Sequence, residues 1–265
     1  MHNLKFLFLL SLIYSIMLFS HCSESTVLVI TPDETTESDS TTILDTDGDG
    51  IAGAYDTCAD TDEGIPVDEK GCPPPIYLDE NGITMKATDA AVIGGSYELN
   101  EVFYLVVDST LLSNMIENEE DITQVITTFI SNLSHLINRS PSWNLSWNYG
   151  VTFNQDISSW DVSNVTDMSD SFIDLPAFNQ DISPWNVSNV TDMSGTFSSS
   201  TSFNQDLSGW EVSNVTKMGG MFSFASSFNQ DLSAWVVDKV IDCNKFSINA
   251  TTWITPKPNF TNCLE

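Results

Sequence analysis

Four copies of one 25-residue unit constrain this chain more than any other feature. FNQDISSWDVSNVTDM begins at Phe153, FNQDISPWNVSNVTDM at Phe178, FNQDLSGWEVSNVTKM at Phe203 and FNQDLSAWVVDKVIDC at Phe228. A fixed period of roughly 20–50 residues marks a repeat architecture, in which one unit cannot bury its apolar face and stacked neighbours bury a continuous core. In register, the copies form columns: Phe153 to Phe228, Trp160 to Trp235, Val162 to Val237, Val165 to Val240, and Met168, Met193 and Met218 ending in Cys243. Ile157, Ile182, Leu207 and Leu232 form a further column. The expected strand of each rung lies at about Gln155–Trp160, in a parallel sheet with about 4.8 Å between rungs. Upstream, ITQVITTFISNLSHLI reads as a degenerate first rung. Its Ile130–Leu133 is aligned with Val162–Val165, and seven additional residues fall in SPSWNLSWNYG.

The columns also contain chemistry. Asp156, Asp181, Asp206 and Asp231 stack, as do Asn154, Asn179, Asn204 and Asn229. Carboxylates spaced by a rung repel by about 1 kcal/mol per pair in water. Either a cation or hydrogen bonds from turn amides must compensate, and Asp and Asn make such turns routinely. The tryptophan column is either core or a sugar-stacking strip. Trp143 and Trp147 stand outside the columns and are the candidate binding surface.

The repeat motif resembles the BspA-like leucine-rich repeat surface proteins, over about residues 122–265. That resemblance implies a right-handed solenoid on a bacterial cell surface, engaged in adhesion and protein binding, with no catalytic residues to carry over. The last copy departs from the motif. Cys243 replaces the methionine, and Pro256 and Pro258 block a further strand. Cys243 and Cys263 are expected to staple a C-terminal cap over residues 243–265.

Phe6–Phe19 is an apolar run of 14 residues, too short to span a bilayer as a helix. It fits the apolar segment of a signal peptide over residues 1–21. Cys22 follows directly and resembles the acylated cysteine of bacterial lipoproteins, although His21 stands where that family prefers a small residue. The alternative is an ordinary secreted protein cleaved nearby. With Cys22 acylated, the other cysteines fall into two local pairs, Cys58 with Cys72 and Cys243 with Cys263, as suits an exported chain. In a reducing compartment they would be free thiols. Residues 22–43, rich in Ser, Thr, Asp and Glu, read as a disordered tether.

Residues 44–75 hold Asp45, Asp47 and Asp49 at alternate positions, followed by Gly50. Alternating carboxylates in a tight loop converge on one hard cation, with the Ile51 carbonyl and Asp56 as further ligands. The segment resembles a thrombospondin type 3 repeat, closing on Gly64, Val67, Asp68, Gly71, Cys72 and Pro73. That resemblance implies one calcium ion, bound weakly because a single copy is present. The bland alternative is a rigid acidic spacer. Residues 76–121 read as a small α+β cap: strands in ITMKA and VFYLVVD, and a helix in TLLSNMIENEE capped by Asp108 or Ser109.

With 37 acidic against 8 basic residues, a formal charge of −29 excludes a phosphate-backbone partner and so nucleic acid. Enzymatic function is not expected. Every acid in the repeat exists in several copies, and His135 is the one histidine beyond the signal segment. The fold class expected is a repeat solenoid, leucine-rich-repeat-like with parallel β on one face, preceded by the α+β cap and the calcium-binding-type loop. The expected function, over repeats at residues 122–242, is a surface lipoprotein that adheres to an extracellular protein, in contact with the membrane by its lipid anchor alone. The rival is a glycan-binding surface lipoprotein that uses exposed aromatics.

Overall fold

In the computed structural model, Met1–Thr42 and Ile43–Glu265 are separate units, and the structure describes residues 45–58, 60–137 and 152–264, all in the second. The cap begins with strands β1 (Ile76–Leu78) and β2 (Met85–Ala87), paired antiparallel. Their turn is built by Asn81, whose side-chain oxygen accepts from the Ile83 and Thr84 amides at 2.9 Å each. Strands β3 (Ser96–Leu99) and β4 (Val102–Val106) form a second hairpin. Both residues of its turn have positive φ, Asn100 at 53° and Glu101 at 67°, as a two-residue primed turn requires.

Helix α1 (Ser109–Glu117) then crosses over to β5 (Val125–Ile126), which pairs parallel with β4. Asp108 caps α1 by accepting from the Leu111 amide at 2.7 Å. The helix ends in a Schellman arrangement: Glu119 at φ 59°, its amide on Ile116 and the Glu120 amide on Met115. Leu112, Met115 and Ile116 on its inner face join Ile122, Val125 and the first rung in one continuous core. The β1–β2 hairpin docks directly on the rungs, with the Met85 amide on the Ser159 carbonyl and the Ala87 amide on the Thr128 hydroxyl.

The copies lie on one another in parallel register, but the paired segment differs from the expected one. Bridges connect Asn132, Asp167, Asp192, Lys217 and Asp242 in series. The amides of Met168, Asp170, Phe172 and Asp174 donate to the carbonyls of Asp192, Ser194, Thr196 and Ser198, and the pattern repeats into the next rung. Even alternation of this kind is a parallel ladder. Gln155–Trp160 is not a strand, because the Asp156 carboxylate accepts the Ser158 amide at 3.0 Å and the Trp160 amide returns to the Ile157 carbonyl. Those local bonds curl the chain and withdraw its donors from any ladder. Each rung bends again where two residues adopt left-handed backbone: Asp170 and Asp174, then Gly195 and Ser199, Gly220 and Phe224, Lys245 and Asn249.

The first rung is also offset from the expected alignment. Leu133 and Ser131 bond to the second rung at the positions of Met168 and Thr166, so Ile130–Leu133 corresponds to Val165–Met168. The separation from Asn132 to Asp167 is 35 positions, ten more than the repeat period and not seven. The extra chain falls between Ile137 and Phe153.

Two phenylalanine columns run side by side. Phe153, Phe178, Phe203 and Phe228 stack at 5.7–6.0 Å, and Phe172, Phe197 and Phe222 stack on Phe178, Phe203 and Phe228 at 4.1–4.7 Å. Trp253 then turns edge-on to Phe228 and ends the column. The tryptophans are core: Trp160 and Trp185 stack at 6.2 Å, and all four are at most 5 % exposed. Each indole N–H donates to a carbonyl of the rung before: Trp160 to Ile122, Trp185 to Ile157, Trp210 to Ile182 and Trp235 to Leu207. A phenylalanine in that column fills most of the volume but orphans a buried carbonyl. Trp185→Phe is therefore expected to cost about 1–3 kcal/mol, and Trp185→Ala about 3–5 kcal/mol. Urea denaturation measures both; a Trp185→Phe variant as stable as the parent would show that the indole N–H contributes nothing.

Candidate functional site

The acidic loop is organised by its own backbone. Gly48 and Gly50 take φ of 82° and 93°, which lets their amides turn inward to the two oxygens of Asp45, at 2.9 and 3.1 Å. Asp47 accepts from Asp49 and, across the loop, from Thr61 at 3.0 Å; Asp49 accepts from the Ile51 amide at 2.7 Å. Oxygens of Asp45, Asp47 and Asp49 lie within 4.8 Å of one another. Asp56 reaches the same place from the other side. A Cβ on Gly71 would stand 2.2 Å from Asp56 Oδ1 and 2.9 Å from Asp49 Oδ2. The remaining oxygens that lack partners are informative, since Asp49 Oδ2 and Asp56 Oδ2 are both buried without a hydrogen bond. Buried carboxylate oxygens are normally satisfied. A hard cation bound by Asp45, Asp47, Asp49 and Asp56 fits this donor set. Burial works to raise the Asp47 pKa, but the amides of Thr61 and Asp49 outweigh it, so it lies below the usual Asp value.

Cys58 is bonded to Cys72 and Cys243 to Cys263. The first bridge ties the acidic loop to the Asp68–Cys72 turn, where the Cys72 and Lys70 amides hold the Asp68 pKa below its ordinary value. The second joins the last rung to the tail. Cys22, Trp143 and Trp147 lie outside the described residues.

The acids of the repeat are occupied. Asp156, Asp181, Asp206 and Asp231 each accept the amide two residues on, from Ser158, Ser183, Ser208 and Ser233, at 2.9–3.0 Å. The neighbouring asparagines form a ladder of their own. Asn154, Asn179 and Asn204 each accept the backbone amide of the next asparagine with their side-chain oxygen, and Asn229 accepts from Ile254 and Thr255. In the bridge column, Lys217 lies 2.9 Å from Asp192.

A cleft of about 800 Å³ opens where the acidic loop, the β1–β2 hairpin and the first two rungs meet. Its wall includes Asp60, Asp62, Tyr77, Lys86, Asp89, Phe129 and Asp161. Asp161 is 2 % exposed and held by the Thr128 hydroxyl at 2.8 Å and the Ser163 hydroxyl at 2.6 Å. Lys86 is 2.8 Å from Asp79. Burial depresses the Lys86 pKa, but its bond to Asp79 and the charge of Asp161 outweigh this and hold it above the ordinary lysine value. Burial pushes the Tyr77 phenol up. Sequence reasoning missed this cleft, since it is assembled from three segments. The available signal was column variation. Asp161 is followed by Asn186, Glu211 and Val236, and Phe129 stands where later copies carry Asn164, Asn189 and Asn214.

Residues 144–256 match the family model described as "Mycoplasma protein of unknown function, DUF285". That span contains the four full copies of the repeat motif. No curated protein and no solved structure matches the chain significantly. Among the described residues, no helix is long and apolar enough to cross a membrane.

The Asx turns make the stack sensitive to acid. The Ser208 amide and hydroxyl hold the Asp206 pKa below its ordinary value, and the Ser233 hydroxyl and amide do the same for Asp231. A carboxylate depressed on folding contributes stability that is full above its unfolded pKa and is lost as pH falls through its folded pKa. Asparagine keeps the amide-accepting oxygen and does not titrate. The urea midpoint should therefore fall less between about pH 7 and about pH 3 in Asp206→Asn/Asp231→Asn than in the parent. An equal fall in both would remove these two turns from the acid response.

Proposed function

We propose that this chain is a non-enzymatic, lipid-anchored cell-surface protein whose repeat stack is an adhesion or protein-binding module. In this reading the stack is a leucine-rich-repeat-like solenoid of the BspA-like kind, closed by the α+β cap and the disulfide-tied tail. Acylated Cys22 and the tether of residues 22–43 hold it away from the membrane, and the acidic loop is a calcium-stiffened spacer.

The observation that carries this reading is how the stack uses its polar groups. The aspartates of the Asp156 column, the asparagines of the Asn154 column and the indoles of every copy are bonded within the stack, which leaves a regular scaffold with no catalytic constellation among these repeated residues. Stacked repeats of this kind build extended surfaces suited to macromolecular partners. The match over residues 144–256 supports the likeness, because domains of that type are associated with BspA-like repeat proteins. His135, largely exposed, lies 3.6 Å from the Asp170 carboxylate.

Display of the chain on cells that lack it tests the function. Cells should gain adhesion to surfaces coated with extracellular protein. Cys22→Ser should release the chain to the medium and abolish the gain. Adhesion only to glycan-coated surfaces, lost in Trp143→Ala or Trp147→Ala, would replace this reading with the glycan-binding one.

Calcium is tested by calorimetry on the full chain. One ion should bind, and Asp49→Asn should remove the heat. With calcium at a hundredfold its Kd the parent should gain about 2.7 kcal/mol in stability. Absence of heat from the parent would leave the loop an acidic spacer without metal.

A further inference from the structure

We propose that the cleft between the acidic loop, the β1–β2 hairpin and the first two rungs captures a basic side chain, arginine or lysine, presented by a protein partner. This rests on the protein-binding reading above and names the place and the chemistry of the contact. The cleft joins three separate parts of the fold around residues the repeat does not copy. Its volume of about 800 Å³ is of the size that admits several side chains.

Three observations define its occupant. The first is charge. Asp60, Asp62 and Asp89 are exposed on the wall and have no ion pair among the described residues. Lys86, the one basic residue of the lining, is already neutralised by Asp79 at 2.8 Å and lies in the field of buried Asp161. The wall is therefore net acidic, with its own cation spent.

The second is the aromatic. Phe129 is 38 % exposed on the cleft, at the position where the next three copies carry asparagine. In those copies the asparagine amide bonds the preceding rung; Asn164, for example, reaches the Thr128 carbonyl at 2.9 Å. The degenerate first rung has the cap on that side, and a phenyl face replaces the amide. An aromatic face beside carboxylates attracts a guanidinium or ammonium group by charge and by its ring quadrupole.

The third is rigidity. Asp161, Thr128 and Ser163 are cross-bonded, and the Ala87 amide holds the Thr128 hydroxyl at 3.0 Å, so the floor is pre-formed and little ordering is needed on binding. A neutral sugar would use the ring and the carboxylates as acceptors, but it would leave the excess charge of the wall unanswered.

The test uses the full chain at physiological salt and a labelled Gly-Ser-flanked peptide carrying three arginines, read by fluorescence anisotropy. The parent should bind it, and the same peptide with citrulline in place of arginine should not bind. Asp60→Asn/Asp89→Asn should weaken binding at least tenfold, and Phe129→Ala at least threefold. Asp206→Asn/Asp231→Asn removes the same charge from the rungs and should change affinity less than twofold. Circular dichroism matching the parent, with a single cooperative urea transition, confirms that these exposed replacements leave the fold intact. Equal loss in the cleft and rung variants would overturn the proposal in favour of general attraction to an acidic protein. Binding of a neutral oligosaccharide lost in Phe129→Ala, with no binding of the arginine peptide, would overturn it in favour of a sugar site. Protein-dependent adhesion that persists in the cleft variants would sink this inference alone; loss of adhesion to every protein surface in the parent would sink the reading on which it rests.

Discussion

Each rung completes the hydrogen bonding of its neighbours, and the rest of the stack depends on this exchange. Backbone amides near Met168 and Phe172 reach forward to the next rung, while the side chains of Asn, Gln, Trp and Thr reach back to the one before. Thr191 reaches back twice from one position, its amide and hydroxyl both on the Thr166 carbonyl. A rung forms neither helix nor extended sheet of its own, so many of its polar groups have no partner inside their own rung. Buried without partners they would cost about 1–3 kcal/mol each. Stacking satisfies them and buries the phenylalanine columns in the same step. Polar satisfaction and apolar burial are thus coupled, and neither is available to a single copy.

The ends follow from that coupling. The first rung must meet something other than a copy of itself, and it meets α1, β5 and the β1–β2 hairpin, whose apolar faces extend the same core. The last rung meets a tail that imitates the missing copy. Trp253 takes the phenylalanine position, and the Ile254 and Thr255 amides take the place of an asparagine amide on Asn229. Phe260 packs edge-on to Phe246, and the Cys243–Cys263 bridge holds the segment there. The tail therefore ends the stack without leaving its bonding pattern open at these positions.

Periodicity made the columns legible, because identical positions in four copies must share one environment, and the two cysteine pairs were legible from their local spacing. Periodicity did not identify the ladder. Gln155–Trp160 carries two of the apolar columns, Ile157 and Trp160, whereas the segment that pairs, around Asp167–Asp174, contains two left-handed residues and few β-formers. Position in the stack outweighs β-propensity there. The first-rung alignment erred by three positions because Ile-Ser-Asn-Leu resembles Val-Ser-Asn-Val in letters, while its backbone bonds fall where Val-Thr-Asp-Met does. Strand β3 was illegible for a local reason: its turn uses Asn100-Glu101, and Glu at positive φ carries no sequence signal. The acidic loop was readable from spacing, but the contribution of Gly71, whose missing Cβ leaves room for Asp49 and Asp56, requires coordinates.

A repeat distributes every residue evenly along its length, so recognition of one particular partner has to be located where the evenness fails. Within the stack the failures are few. Asp170 lies over Gly195, where a Cβ would stand 2.0 Å from its carboxylate, and burial raises its pKa; Lys217 replaces an aspartate in the bridge column and pairs with the one before it. Both are absorbed by their neighbours and leave no unspent group. At the junction with the cap the outcome differs. Asp161 is drawn inside and Phe129 is turned outward, and the acidic loop adds Asp60 and Asp62, which form no ion pair among the described residues. The cap that the first rung needs for stability thus also creates a surface that the repeat cannot copy, and the physical requirement for an end gives this chain an individual site.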